Sequence, residues 1–179
     1  MVNSPRSKRI RPQPDFQALF FAHFGRTPRP HRYEVRFGTS NVYHDVIFLD
    51  SLVHDARLSR GSVRRQGRTV TIRLKRETWE VGTLVLKGAP ALHQVGSSLK
   101  IKGVERVVWH FADSRSRVWK ELSLRGAHLQ PPSESEAYEF VLDGYRWQLR
   151  LRLKEYHAGI VLQDTGAPRR YSVRVRSGA

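Results

Sequence analysis

The chain has no cysteine, and its 179 residues include only 16 Asp and Glu against 32 Lys and Arg. The absence of cysteine excludes disulfide bonds, thiol nucleophiles and cysteine-ligated zinc. No apolar run approaches the roughly 20 residues that a membrane-spanning helix needs, so we expect no membrane partner. The shortage of acidic residues leaves a net charge of +16, and a domain this basic favours a polyanionic ligand.

Sequence motifs of catalysis are also missing. The chain has no Gly-x-Ser-x-Gly elbow, no Gly-x-x-x-x-Gly-Lys phosphate loop and no dinucleotide-binding fingerprint. His110 and Asp113, followed by Ser114 and Ser116, are more typical of a polar turn than of acyl transfer. We therefore assign no catalytic residue and no cofactor, and the sequence favours a binding protein over an enzyme.

The first residues of the chain, 1–14, are rich in Pro, Arg and Lys and have little to bury, which predicts a flexible basic arm. Asp15 can cap a short helix from Phe16 to about Phe24. Polar residues interrupt this segment and no small-x-small cleavage pattern follows it, so we expect no signal peptide and a cytoplasmic location. Residues 15–179 are expected to form a single β-rich domain.

Most of the remaining chain alternates apolar and polar residues, which is typical of strands with one buried and one exposed face. Such segments recur about every ten residues, as in all-β folds. This spacing predicts an antiparallel β-sandwich, or alternatively a partly open barrel, of about ten strands with one short N-terminal helix. The apolar positions are Tyr33, Val35 and Phe37; Val70, Ile72 and Leu74; Val107, Trp109 and Phe111; Trp147, Leu149, Leu151 and Leu153; and Tyr171, Val173 and Val175.

Two dipeptides predict hairpin turns. Asp143-Gly144 is a favoured two-residue turn, and Gln66-Gly67 is a second candidate. A turn at Asp143-Gly144 places apolar residues opposite apolar ones and polar residues opposite polar ones, as a correct strand register requires. The predicted facing pairs are Phe140 with Trp147, Tyr138 with Leu149, Glu139 with Gln148, and Val63 with Val70.

Two His-Asp dipeptides, His44-Asp45 and His54-Asp55, contain ligand types that divalent metals accept. We interpret Val42–Leu49 and Leu52–Leu58 as the two strands of a hairpin with Asp50-Ser51 at its turn. In that hairpin His54 faces Ile47 and His44 faces Arg57, so the dipeptides do not converge. We assign no metal ligand, and a metal-dependent hydrolase built on these dipeptides is the second alternative function.

The positive charge is clustered along the chain. From Ala56 to Arg76 there are eight basic residues and no acidic one. Because strand side chains alternate between faces, the basic residues of each strand share its outer side. If these strands lie in one sheet, that side is a basic plate. The candidate nucleic-acid-binding residues are Arg64, Arg65, Arg68, Arg73, Lys75, Arg150, Arg152, Lys154, Arg174 and Arg176.

Two aromatic residues are candidates for stacking on nucleic-acid bases. Trp119 is in register with Glu121, Ser123 and Arg125, which predicts exposure, and Tyr156 has the parity of the basic residues before it. A basic surface with aromatic rings is what single-stranded nucleic acid requires. The leading hypothesis is a non-enzymatic nucleic-acid-binding module. The first alternative is a β-sandwich subunit that binds an acidic protein partner. Ordinary solvated strand faces would also carry such residues.

Overall fold

The computed structural model describes residues 32–78, 84–86, 89–131, 137–154, 158–166 and 169–172. These ranges hold one α-helix and eleven strands, and the strand pairs are antiparallel. The predicted arm, the predicted helix from Phe16 to Phe24 and the predicted strand end at Val173 and Val175 lie outside them. In chain order the elements are β1 (Arg32–Arg36), α1 (Val42–Val53), β2 (Arg57–Gln66), β3 (Thr69–Glu77), β4 (Leu84–Leu86), β5 (Ala89–Lys102), β6 (Val104–Phe111), β7 (Leu122–Gln130), β8 (Ala137–Gly144), β9 (Trp147–Lys154), β10 (Gly159–Asp164) and β11 (Arg169–Ser172).

Nine of these strands form a continuous sheet in the order β1-β10-β5-β3-β2-β7-β8-β9-β6, which is not closed into a barrel. Strands β4 and β11 pair with the first part of β5. Strand β2 joins β7 through two residue pairs, Arg57 with Ser123 and Leu58 with Leu122. We call β1-β10-β5-β3-β2 the first half of the sheet and β7-β8-β9-β6 the second half. The all-β antiparallel fold predicted from the sequence is confirmed.

The two halves of the sheet bury their inner faces in one hydrophobic cluster. Ile72 and Leu99 of the first half and Phe140 and Leu151 of the second half are fully buried there. Burial of each such side chain stabilises the fold by about 1.5–3 kcal/mol. Because both inner faces contact the same core, the two outer faces point away from each other, as in a sandwich.

Gly103 alone connects β5 to β6, and the chain passes there from the first half of the sheet to the second. Its φ of 77° lies in the left-handed region, which glycine adopts without the Cβ penalty of other residues. The amide of Lys154 donates to the Gly103 carbonyl at 3.0 Å, and the amide of Val104 donates to the Arg68 carbonyl at 2.9 Å. These bonds fix the corner between the halves.

The hairpin predicted over Val42–Leu49 and Leu52–Leu58 is wrong, because residues 42–53 form helix α1. The buried residues of this segment include Val42, Val46, Leu49 and Val53. That spacing is helical, although the segment is rich in β-branched and aromatic residues that favour strands. Packing of this apolar side against the sheet overrides the local preference for a strand.

Helix α1 is held to both halves of the sheet by polar contacts. The Asp50 carboxylate, predicted in a turn, accepts a hydrogen bond of 2.6 Å from the Ala127 amide of β7. The Tyr33 hydroxyl of β1 donates to the Asp45 carbonyl at 3.0 Å. Burial, followed by the nearby Asp45 carboxylate, raises the pKa of Tyr33. Because the shift is upward, the phenol stays protonated and keeps donating further into the alkaline range than an ordinary tyrosine.

Both predicted hairpins exist, but their turns lie further along the chain. The β8–β9 turn is Tyr145-Arg146 rather than Asp143-Gly144, and Phe140 faces Leu151 rather than Trp147. A Cβ at Gly144 would clash with the indole ring of Trp147. The lack of a side chain at Gly144 therefore makes room for the indole, and Gly144 is not a turn residue. The shift of two residues preserves which side chains point inward. The new facing pairs are Tyr138 with Leu153 and Glu139 with Arg152.

The β2–β3 hairpin is shifted by one residue, with Gly67-Arg68 as its turn. Val63 faces Ile72 rather than Val70. The register also shifts between Leu58 and Val63, so β2 bulges there. The bulge directs Arg60 towards the aromatic residues of β6, as described below.

One ion pair is fully buried in the first half of the sheet. The Arg76 guanidinium of β3 contacts the Asp164 carboxylate of β10 through two bonds of 2.8 and 2.9 Å. The Ser97 hydroxyl of β5 donates to the same carboxylate at 2.6 Å. The three residues lie on three adjacent strands, so this cluster ties β3, β5 and β10 together.

None of the helices in the described ranges is long and apolar enough to cross a membrane.

We expect Asp164→Asn to lower the free energy of unfolding by about 3–5 kcal/mol, because it removes the carboxylate charge that forms two short bonds with the buried Arg76 guanidinium. The measurement is urea denaturation followed by circular dichroism. The control is Glu105→Gln, which removes the exposed contact of 3.8 Å between Arg152 and Glu105 and should cost at most about 1 kcal/mol. Equal, small losses for both variants would contradict the role of the buried pair.

Candidate nucleic-acid interface

The outer face of the first half of the sheet is strongly basic. Cations project from four of its five strands, and each of them is exposed. Two exposed carboxylates accompany them: Glu34 lies 3.6 Å from Arg32 and Glu121 lies 3.7 Å from Arg57. We call this outer face of the first half of the sheet the basic face. Its cations are Arg32, Arg36, Arg57, Arg64, Arg73, Lys75, Lys100 and Lys102.

The sheet register separates most of these cations with neutral residues. Lys102 faces Thr69, Lys100 faces Thr71, and Arg73 faces Ser98. Like charges directly opposite each other destabilise a sheet, and this arrangement avoids that contact. Lys75 and Arg57 are the exception, and there Glu121 contacts the arginine. The basic face therefore keeps many charges at a reduced cost in repulsion.

Six cations of the basic face form no ion pair within the described part of the chain. Their side chains are exposed to solvent. Arg73, Lys75, Lys100 and Lys102 point outward because they alternate with buried residues, and Arg64 points outward because it pairs with the outward-facing Thr71. The exposed ammonium and guanidinium groups are therefore available to an external anion. The six residues are Arg36, Arg64, Arg73, Lys75, Lys100 and Lys102.

Two grooves cross the basic face. One, of about 580 Å³, is lined by Arg32, Lys100 and Lys102 with the loop that follows β10. The other, of about 410 Å³, is lined by Arg73 and Lys75 together with polar residues of the β2 bulge and of the segment before β7. The charges therefore line shallow depressions rather than a flat surface. The remaining lining residues of the second groove are Arg57, Leu58, Ser59, Ser62, Leu74, Lys120 and Glu121.

Arg150, Arg152 and Lys154 lie on a different surface, the outer face of the second half. Three strands, β2, β7 and β8, separate β9 from β3. Arg150 lies 3.4 Å from Glu139, and Arg152 lies 3.8 Å from Glu105. The basic strands do share one sheet, as the predicted plate requires, but the outer faces of its two halves point apart. The predicted cations are therefore divided between two surfaces, and the charges on β9 are partly balanced by acidic neighbours.

The three arginines at the tip of the β2–β3 hairpin have different roles. Arg64 belongs to the basic face, and Arg68 is exposed in the turn. The Arg65 guanidinium instead donates to backbone carbonyls, at 2.9 Å to Gly67 and 2.9 Å to Glu105. Arg65 thus fastens the tip of β2 to the start of β6.

The structure describes one of the two predicted stacking residues. Tyr156 lies outside the described residues, as do Arg174 and Arg176. The expectation that Trp119 shares a strand with Glu121 is wrong, because β7 begins only at Leu122. Trp119 instead follows a single 3-10 turn, Ser116–Val118, and is half-buried against the core.

Trp119 belongs to a group of four aromatic residues, which we call the aromatic rim. The other three are Tyr145, Trp109 and Phe111. Trp119 lies parallel to Tyr145 of the β8–β9 turn, with an interplanar angle of 5° and ring centroids 6.4 Å apart. On β6, Trp109 and Phe111 stack with centroids 5.7 Å apart. The Arg60 guanidinium covers this second pair, 5.2 Å from the Phe111 ring.

Hydrogen bonds hold the loop of the aromatic rim to the β8–β9 turn. The Asp113 carboxylate accepts bonds of 2.7 and 2.8 Å from the Ser116 amide and hydroxyl, and Arg146 contacts it at 3.1 Å. The Ser116 bonds, with a smaller contribution from Arg146, lower the pKa of Asp113. The Ala112 amide also donates to the Arg146 carbonyl at 2.9 Å.

The two His-Asp dipeptides do not come together. His44-Asp45 lies in the first turn of α1, and His54-Asp55 follows its last residue. His54 follows His44 by ten positions, which correspond to about 15 Å along a helix. The predicted facing of His54 with Ile47 and of His44 with Arg57 is wrong because the segment is helical. Among the described residues, no three His, Asp or Glu side chains are grouped as a metal site requires.

No family model, curated protein or solved structure matches this chain.

Sequence reasoning missed five of the eight cations of the basic face. The missed residues show the same alternation that identified the others, since Lys100 and Lys102 flank the buried Ile101. What the sequence does not show is that β5 lies between β3 and β10. The additional residues are Arg32, Arg36, Arg57, Lys100 and Lys102.

We expect the amide signal of Ser116 to report the titration of Asp113 with a midpoint below the ordinary pKa of 3.8. The folded-state pKa is lowered, so this contact stabilises the loop above the ordinary value and is lost as the pH falls through the folded-state value. The measurement is a two-dimensional NMR titration, with Asp113→Asn as the control that abolishes the transition. A midpoint at or above the ordinary value would contradict the hydrogen-bonded carboxylate.

Proposed function

We propose that this protein is a nucleic-acid-binding module that contacts phosphates through the basic face. The single observation that carries the proposal is the group of six exposed cations on the outer face of the first half of the sheet that form no ion pair with any described residue. Phosphate groups repeat along a nucleic-acid chain, so a surface with repeated cations can contact several of them at once. Arginine can also hold a phosphate through two parallel hydrogen bonds.

The charge balance favours the basic face over the outer face of β9. Glu139 and Glu105 lie within 4 Å of Arg150 and Arg152, and a phosphate binding there would approach these carboxylates as well. On the basic face, Arg73 and Lys100 have neutral Ser98 and Thr71 as cross-strand neighbours. The net charge of +16 further accelerates the encounter with a polyanion.

The proposed contacts are mainly to the backbone of the nucleic acid. Lys and Arg side chains that contact phosphates position a protein on its ligand but carry little sequence information. Binding should therefore be weakly selective for sequence and strongly dependent on salt. An interface with six or more phosphate contacts loses about 10³-fold or more in affinity between roughly 50 and 200 mM salt.

The test compares two triple variants with the same change in net charge. Arg64→Glu, Arg73→Glu and Lys100→Glu alter the basic face, whereas Arg150→Glu, Arg152→Glu and Lys154→Glu alter the opposite half. Binding of labelled single- and double-stranded DNA and RNA is measured by fluorescence anisotropy at several salt concentrations. The slope of log affinity against log salt should fall by about 3 for the basic-face variant, about 1 per lost phosphate contact.

The matched variant on β9 should retain the salt slope of the unmodified protein. Thermal melting of both variants checks that the fold is intact. Equal loss of binding in the two variants would show that net charge rather than the basic face binds the ligand. No binding by the unmodified protein at about 50 mM salt, where phosphate contacts are strong, would reject the proposed function and favour an acidic protein as the partner.

A further inference from the structure

We infer that the nucleic acid is bound as a single strand, with an unpaired base stacked on the aromatic rim at Tyr145 and Trp119. This inference rests on the proposed function and deepens it. A basic surface alone holds the backbone of either a duplex or a single strand. Aromatic rings that receive bases require bases that are not already paired and stacked in a duplex.

The first observation is the exposure of Tyr145 at a hairpin turn. Its side chain is 59% exposed, and its ring lies parallel to the half-buried ring of Trp119. The supporting indole packs against the core, so the pair presents an aromatic surface on a rigid base. Val118, beside them, is 78% exposed. A flat, apolar ligand such as a nucleobase suits this surface.

The second observation is the conformation of the same turn. Arg146 has a φ of 64°, a left-handed conformation that is uncommon for arginine and costs about 1–3 kcal/mol. Glycine or asparagine would adopt it more easily. The turn therefore holds an arginine at a position where stability alone favours glycine or asparagine, and departures of this kind are typical of functional sites.

The third observation is the charge around the aromatic rim. Arg60, Arg117 and Arg146 border it, and Arg146 lies 5.9 Å from the centre of the Tyr145 ring. The Arg60 side chain also donates to the Arg117 carbonyl at 3.3 Å. Of the nearby carboxylates, Asp113 is already bound to Ser116 and Arg146. Arg146 is thus partly balanced by Asp113, whereas the exposed Arg60 and Arg117 form no ion pair with a described residue and can contact a phosphate next to the stacked base.

The fourth observation is the position of Lys120 between the basic face and the aromatic rim. Lys120 lines the groove of about 410 Å³ together with Arg73 and Lys75, and it directly follows Trp119 in the chain. A strand whose phosphates contact the basic face along this groove therefore comes close to the aromatic rim at Lys120.

The experiment uses Tyr145→Ala, with Tyr145→Phe to restore the ring and Tyr43→Ala as a matched control. Tyr43 is 40% exposed on α1, so its truncation removes the same group elsewhere. The probes are a fluorescent oligothymidylate of roughly 15 nucleotides, the same strand with abasic sites, and a duplex of equal length. Affinities are measured at about 50 mM salt.

Tyr145→Ala should weaken binding of oligothymidylate by about 5- to 150-fold, the range for loss of one base–aromatic stack. Binding of the duplex and of the abasic strand should change less than about twofold, because neither offers a free base. Tyr145→Phe and Tyr43→Ala should both bind oligothymidylate like the unmodified protein.

Two outcomes would overturn the inference while leaving the proposed function intact. In one, Tyr145→Ala binds oligothymidylate normally although the basic-face variant does not. In the other, Tyr145→Ala loses affinity for the abasic strand as much as for oligothymidylate, so that no base is involved. If the unmodified protein binds none of the probes, the proposed function fails and the inference fails with it.

Discussion

The shared hydrophobic core is the constraint on which the rest of the structure depends. Both halves of the sheet bury alternate residues in it, among them Ile72, Leu99 and Leu151. Because strand side chains alternate, each buried position forces its neighbours outward. The basic face is thus a consequence of core packing: Arg73 lies between buried Ile72 and Leu74, and Lys100 lies between buried Leu99 and Ile101.

A face with so many positive charges has to be stable before it can bind anything. Neutral residues between the cations in the cross-strand register limit repulsion at the surface. Beneath the surface, Arg76, Asp164 and Ser97 connect three strands of the first half of the sheet, β3, β10 and β5. A buried ion pair is often no more stabilising than apolar packing, but it tolerates few alternative alignments of its strands. The cluster therefore favours the one register that keeps the cations apart.

The sequence predicted the strands well and the positions of turns and the helix poorly. Alternation identified β3 and β9 because one face of each is buried almost without exception. It failed at α1, where residues typical of strands occupy helical spacing, and at Asp143-Gly144, where a favoured turn dipeptide lies under an indole ring. The basic face was predicted in part, because the sequence of each strand shows which of its cations are exposed but not which strands lie beside it. Those neighbours are remote in sequence, and only the folded chain brings them together.

The position of β1 has a consequence for how the chain is made. In the described residues β1 pairs with β10, and Val35 faces Ile160 across 125 positions of sequence. At a synthesis rate of about 5–20 residues per second, the first of these strands waits roughly 6–25 seconds for its partner on the ribosome. During that interval its hydrogen-bonding groups have no sheet to join. Strand β1 therefore cannot take its place beside β10 until the chain has been synthesised as far as Gly159–Asp164.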